Sequence, residues 1–127
     1  MSFRNAITAV SLGAVVCAFV AGCGGADDRP AQWSFISAAI IEPSCATASC
    51  HSSVAQKAGV DLSTREIGYK SLTSRNFVLA GNPDPTMSEL MYLLEAKDAK
   101  RMPPDFALPA DDIELISKWI AAKAPNN

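Results

Sequence analysis

The chain has 127 residues, 49% of them hydrophobic and 19% charged, which suits one globular domain and leaves little room for a second. Its formal charge is −2 and no basic cluster is visible, which argues against nucleic acid as a partner. It carries four cysteines and one histidine, so no site built on two imidazoles can come from a single copy.

The first stretch reads as a targeting segment. Arg4 supplies a positive charge, and Ala6 to Val20 is apolar and uncharged, too short to span a bilayer comfortably but suited to a signal-peptide core. It ends in Val20-Ala21-Gly22-Cys23, which resembles a bacterial lipobox, where small residues precede a cysteine that is diacylated and becomes the new N-terminus. Residues 1–22 are therefore expected to be a lipoprotein signal peptide and Cys23 the lipidation site. The alternative is ordinary secretory cleavage near Gly22 that leaves Cys23 a free thiol. Two or more acyl chains anchor a protein stably to a membrane. Gly24, not aspartate, follows the cysteine, and by resemblance to two-membrane bacteria this mildly favours the outer membrane. Residues 23–31, with paired glycines, paired aspartates and Pro30, are expected to form a flexible tether.

The domain proper is expected over 32–127, as a few helices joined by proline-rich loops with hardly a strand. Gln32 to Ile41 predicts a first helix from the spacing of Trp33, Ile36 and Ile40, stopped by Pro43, which disfavours helix at Glu42. Ser52 to Gly59 is polar and carries no clear pattern. Ser63-Thr64-Arg65-Glu66 fits a capping box opening a helix from Thr64 to Leu72, with Tyr69 and Leu72 inward. Phe77 to Ala80 is a brief apolar run, and Gly81 to Pro85 a loop. Thr86 and Glu89 fit a second box, opening a helix to about Ala96 whose stripe is Met87, Leu90, Met91 and Leu94. Ala110 to Lys123 predicts the last helix, with Ile113, Ile116, Trp119 and Ile120 on its apolar face, acidic residues at its start and Pro125 ending it.

The chemistry concentrates in Cys45-Ala46-Thr47-Ala48-Ser49-Cys50-His51, which holds the only histidine. With Cys17 in the signal peptide and Cys23 lipidated, Cys45 and Cys50 are the two cysteines left. Two nearby thiols followed directly by an imidazole are how a chain attaches c-type haem. The stretch resembles the Cys-X4-Cys-His form of the cytochrome c attachment site, with four residues between the cysteines instead of the usual two. The alternative in an oxidising compartment is a Cys45–Cys50 disulfide, with His51 beside it by coincidence. Zinc is disfavoured because no fourth cysteine or histidine completes a site.

An iron held by His51 needs a second axial group, and the candidates are Met87, Met91, Met102 or none from the protein. Met102 stands in Lys100-Arg101-Met102-Pro103-Pro104, where consecutive prolines stiffen the loop. A thioether is a soft neutral ligand that raises a haem's potential. Packing of Met102 in the core is the alternative, and Met87 and Met91 are most simply core residues.

A first helix running into a Cys…Cys-His site, a Met-Pro-Pro loop and a last helix with Trp119 together resemble a class I cytochrome c, and more closely the short cytochrome c-like domains of bacterial lipoproteins. The resemblance spans roughly Gln32 to Ala124. It implies an all-α fold in which the first and last helices cross, with Cys45 and Cys50 as thioether sites, His51 as proximal and Met102 as distal ligand of one covalent haem c. The expected function is single-electron carriage between redox partner proteins on the periplasmic side of a bacterial membrane, with no small-molecule substrate and no enzymatic activity. Two alternatives stay open: a haem-based ligand sensor or peroxidase-like protein with an open distal site, and a haem-free, disulfide-stapled interaction module. Lys100 and Arg101 could pair with the haem propionates, or be solvated surface cations. Tyr69 and Tyr92 could donate to the propionates, or simply pack.

Overall fold

Two tryptophans far apart in sequence meet at the centre of the domain. Trp33 and Trp119 are both fully buried and stack with ring centroids 4.9 Å apart, and Tyr69 stands edge-on to both. Large aromatics bury well only when their polar tips find partners. Here the Trp33 indole donates to the Arg65 carbonyl (2.8 Å), the Trp119 indole to that of Pro125 (2.9 Å) and the Tyr69 hydroxyl to that of Ala124 (2.9 Å). The computed structural model describes residues 27–127; the expected signal peptide 1–22, lipidated Cys23 and tether residues 24–26 lie outside the described residues. The domain is all-α: four helices and short 3-10 turns, with no strand among the described residues.

Helix α1 comprises Trp33–Ile36, a π-helical turn Ser37–Ile41 and Glu42–Cys45. It therefore runs through Pro43, where the sequence predicted its end. Proline is excluded from helix interiors because its ring strikes the carbonyl four residues back and it has no N–H to give. A π turn widens the backbone at that point. The Glu42 N–H reaches the Ser37 carbonyl five residues back, and the buried Ser37 hydroxyl donates to the Glu42 carboxylate at 2.9 Å across the same wide turn. The extra turn carries the helix on to Cys45, its last residue. At its start, α1 is capped from the far end of the chain: the Trp33 and Ser34 N–H groups donate to the Asn127 side-chain and main-chain oxygens.

Helix α2 (Arg65–Ser74) starts one residue later than expected. Its cap is the Thr64 hydroxyl, which accepts from the Ile67 N–H, and not Ser63. Leu72 is buried and Tyr69 half-buried, both turned inward as expected. Helix α3 (Glu89–Glu95) likewise escapes its predicted box. Asp84 accepts from the Thr86 N–H and caps a 3-10 turn, Pro85–Met87, while the Ser88 hydroxyl accepts from the Leu79 N–H. The turn puts Met87 out of register and 60% exposed, whereas Met91 and Leu94 are buried and Leu90 half-buried.

Helix α4 (Ala110–Ala121) buries Leu115, Ile116, Trp119 and Ile120, and Ile113 is only half-buried. It ends two residues early because Lys123 and Ala124 turn left-handed (φ 72° and 47°), folding their N–H groups back onto the Ile120 and Trp119 carbonyls. Residues 27–31, expected within the flexible tether, are held to its first turn: Arg29 bridges Asp27 (2.8 Å) and Asp112 (2.6 Å).

Candidate functional site

The end of α1 presents Cys45, and the chain then closes a tight loop. The Cys50 N–H donates to the Thr47 carbonyl (2.9 Å) and the His51 N–H to that of Cys45 (3.1 Å). Two more backbone bonds hold the loop from outside, Lys57 N–H to the Cys50 carbonyl (3.0 Å) and Leu62 N–H to that of His51 (2.8 Å). Four intervening residues are thus folded onto themselves, so both thiols and the imidazole leave one small rigid unit.

The His51 ring is oriented by the Val60 carbonyl, 3.3 Å from Nδ1. A carbonyl oxygen can only accept, so this contact places a proton on Nδ1, and in the neutral ring Nε2 then keeps the lone pair with which imidazole binds a metal. The two thiols differ. Cys45 packs against the core and burial pushes it up to about 11, the nearby Cys50 adding to the effect. Cys50 lies at the surface and is lowered, first by hydrogen bonds from Thr47 and Ser49. Both are free thiols.

Met102 comes from the segment between α3 and α4 and lines the same cavities as His51. Its N–H donates to the Leu93 carbonyl at the end of α3 (2.9 Å), and Arg101 folds over the prolines, Nη2 donating to the Pro104 carbonyl (3.2 Å). Pro103 is buried, while the Met102 side chain is 36% exposed. Lys100 turns to Tyr92, its Nζ 3.5 Å from the hydroxyl and 5.8 Å from the ring centre. Both cations beside Met102 are thus engaged locally, and the Tyr69 hydroxyl is spent on Ala124.

His51, Met102 and Cys45 line the same two adjoining cavities. One, about 140 Å³, lies beside Cys50, Lys57 and Pro104. The other, about 150 Å³, is walled by Leu72, Phe77, Leu90, Leu93 and Leu94. Ala58 is the fourth residue common to both. Met87 and Met91 line neither; Met91 faces a groove between α3 and α4, with Ile113 and Ser117. Among the described residues no three His, Cys, Asp or Glu side chains gather into a cage for a bare metal ion.

Several contributors went unread in the sequence. Ala58 and the Val60 carbonyl sit in and just after the polar stretch without pattern, where Gln56, Ala58 and Gly59 are all left-handed (φ 41°, 56° and 70°). Only Gly59 advertised such a turn. Leu93 falls between the stripe positions of α3, and its proximity to the site comes from the fold alone. Comparison with protein-family models, with curated proteins and with solved structures finds no match to this chain.

Proposed function

We propose that the protein is a monohaem c-type cytochrome, lipid-anchored through Cys23 and facing the periplasm, that carries single electrons between redox partner proteins. What supports the reading is one arrangement: a thiol and an imidazole from one loop and a thioether from a distant segment border the same two adjoining apolar cavities. Ligand pockets ordinarily begin at roughly 300 Å³, so a porphyrin would span both cavities across their shared wall. The donor set fits such a group. His51 has Nε2 free, Met102 offers a soft neutral sulfur, and Cys45 and Cys50 can each add S–H across a vinyl group to give a thioether. The haem would supply an iron that alternates between ferrous and ferric.

The chain's own part is to hold and to exclude. The Val60 carbonyl fixes the imidazole plane, and the Leu93 carbonyl fixes the backbone that carries Met102. The leucines walling one cavity make its lining apolar, while Cys50 and Lys57 border the other, where an edge of the group would come within reach of a partner. If His51 and Met102 both held the iron, no open position on it would remain for a substrate. The Cys…Cys-His loop and Met-Pro-Pro segment resemble those of the cytochrome c-like domains named above, with crossing first and last helices as the implied architecture.

One observation favours the second reading, a ligand sensor or peroxidase-like protein: the exposure of Met102, a third of its side chain, leaves it displaceable. Absorption spectra of the protein purified from a host that attaches haem c separate the readings. The reduced protein should show a sharp low-spin α-band that carbon monoxide leaves unchanged, and Met102→Ala should make it bind carbon monoxide. Carbon monoxide binding by the unaltered protein selects the second reading; a chain without a haem spectrum rejects both.

A further inference from the structure

We propose that Arg75, just past the C-terminal end of α2, is a positioning residue for the His51 imidazole: it clasps Ala58 and Gly59 and thereby fixes the Val60 carbonyl to which the ring is bonded. The inference rests on the reading of His51 as an iron ligand. The Arg75 Nη1 donates to the Ala58 carbonyl at 3.0 Å. Its guanidinium lies directly against Gly59, where a Cβ would fall 2.8 and 2.9 Å from the two terminal nitrogens. Glycine at this position, with φ +70°, thus serves both the backbone turn and the approach of the guanidinium.

The loop needs an outside hold. Gln56 and Ala58 adopt left-handed φ without being glycine, a conformation that costs energy and persists only where the surroundings enforce it. Two bonds, Gly59 N–H to the Gln56 carbonyl (2.7 Å) and Val60 N–H to that of Lys57 (3.1 Å), are internal, Lys57 N–H to the Cys50 carbonyl (3.0 Å) ties the turn's start to the cysteine loop, and Arg75 holds its far side. Arg75 is exposed and makes no ion pair among the described residues, and its side chain's one hydrogen bond there is to this carbonyl. One residue past the clasp comes Val60, whose carbonyl accepts from His51 Nδ1, and Ala58 itself walls both cavities. An acceptor on the far nitrogen of a ligating imidazole orients the ring and raises its basicity. Releasing the clasp therefore weakens a hydrogen bond to the ring without touching it, making the imidazole a poorer donor to ferric iron and raising the reduction potential.

The test uses the full-length haem-loaded protein and two readouts, NMR exchange of the His51 Nδ1 proton in the reduced state and the midpoint potential. Arg75→Ala should speed that exchange by about tenfold, the effect of one weakened hydrogen bond, and raise the midpoint while the low-spin spectrum persists. Arg75→Lys, which still reaches the Ala58 carbonyl, should restore slow exchange. Exchange and midpoint unchanged in Arg75→Ala overturn the clasp. Should that variant fail to fold, Gly59→Ala, whose methyl displaces the guanidinium, must move both readouts in the same direction, and no movement overturns the proposal equally. A chain found to carry no haem defeats the cytochrome reading, and the same ring-proton exchange, measured on that chain, still decides the clasp.

Discussion

Arg29 sits between two carboxylates, Asp27 and Asp112, and this small triad joins residues 27–31 to α4. The hydrogen bonds from Arg29 hold the Asp27 carboxyl down at about 2, against an ordinary 3.8. A carboxylate with a lowered folded pKa contributes its stabilisation above the ordinary value and loses it as pH falls through the lowered one. The Asp27–Arg29 pairing is accordingly expected to be complete above about pH 4 and to be lost on titration towards about pH 2. NMR shifts of the Arg29 side chain, followed across that window, read this directly; shifts that stay constant from pH 5 to 2 contradict it. At the same scale, the site's most readable residues were those whose chemistry is local. Cys45, Cys50 and His51 lie within seven positions of one another, and a spacing rule finds them. Val60 and Arg75 act through a main-chain carbonyl and a tertiary contact, and neither leaves a mark in residue type.

The helices as elements were legible, because each buries one stripe: Ile36 and Ile40 on α1, Leu72 on α2, Met91 and Leu94 on α3, Ile116, Trp119 and Ile120 on α4. Their ends were not, because several polar side chains could serve each terminus and tertiary partners decide among them. Thr64 and Ser63 compete for the start of α2, and Thr64 wins it. Glu66, the other half of the predicted box, makes no hydrogen bond back to the cap and is exposed. Thr64→Ala should therefore cost about 0.5–1 kcal/mol, the low end for a cap because its bond is long, while Glu66→Ala should stay within about 0.5 kcal/mol of the parent. Urea denaturation of the two variants measures both; a Glu66 cost equal to that of Thr64 would restore the box. Pro43 teaches the same lesson in reverse. The rule that proline stops a helix is sound for α geometry, and the π turn held by Ser37 and Glu42 removes its premise.

At the scale of the molecule, the Trp33–Trp119 stack joins the two ends of the domain, and the Asn127 cap on α1 reinforces the join. This closure fixes α1 in place, and with it the Cys45-to-His51 loop, while the segment between α3 and α4 brings Met102 across to the same hollow. The all-α class was expected both from helical periodicity and from the resemblance. That Met102, not Met87 or Met91, shares cavities with His51 followed from the stiff Met-Pro-Pro segment; the leucine wall behind it is a product of packing that no local pattern announces. The reading of the whole turns on whether one porphyrin is bound to this chain through two sulfurs. Intact mass spectrometry of the protein, recorded before and after acid-acetone extraction and paired with its visible spectrum, tests this most directly. The expected result is a polypeptide heavier by one haem, in which colour and mass both survive extraction and are lost together when Cys45 and Cys50 are both replaced by alanine. A mass equal to polypeptide plus lipid, or a pigment that passes into the acetone, contradicts it.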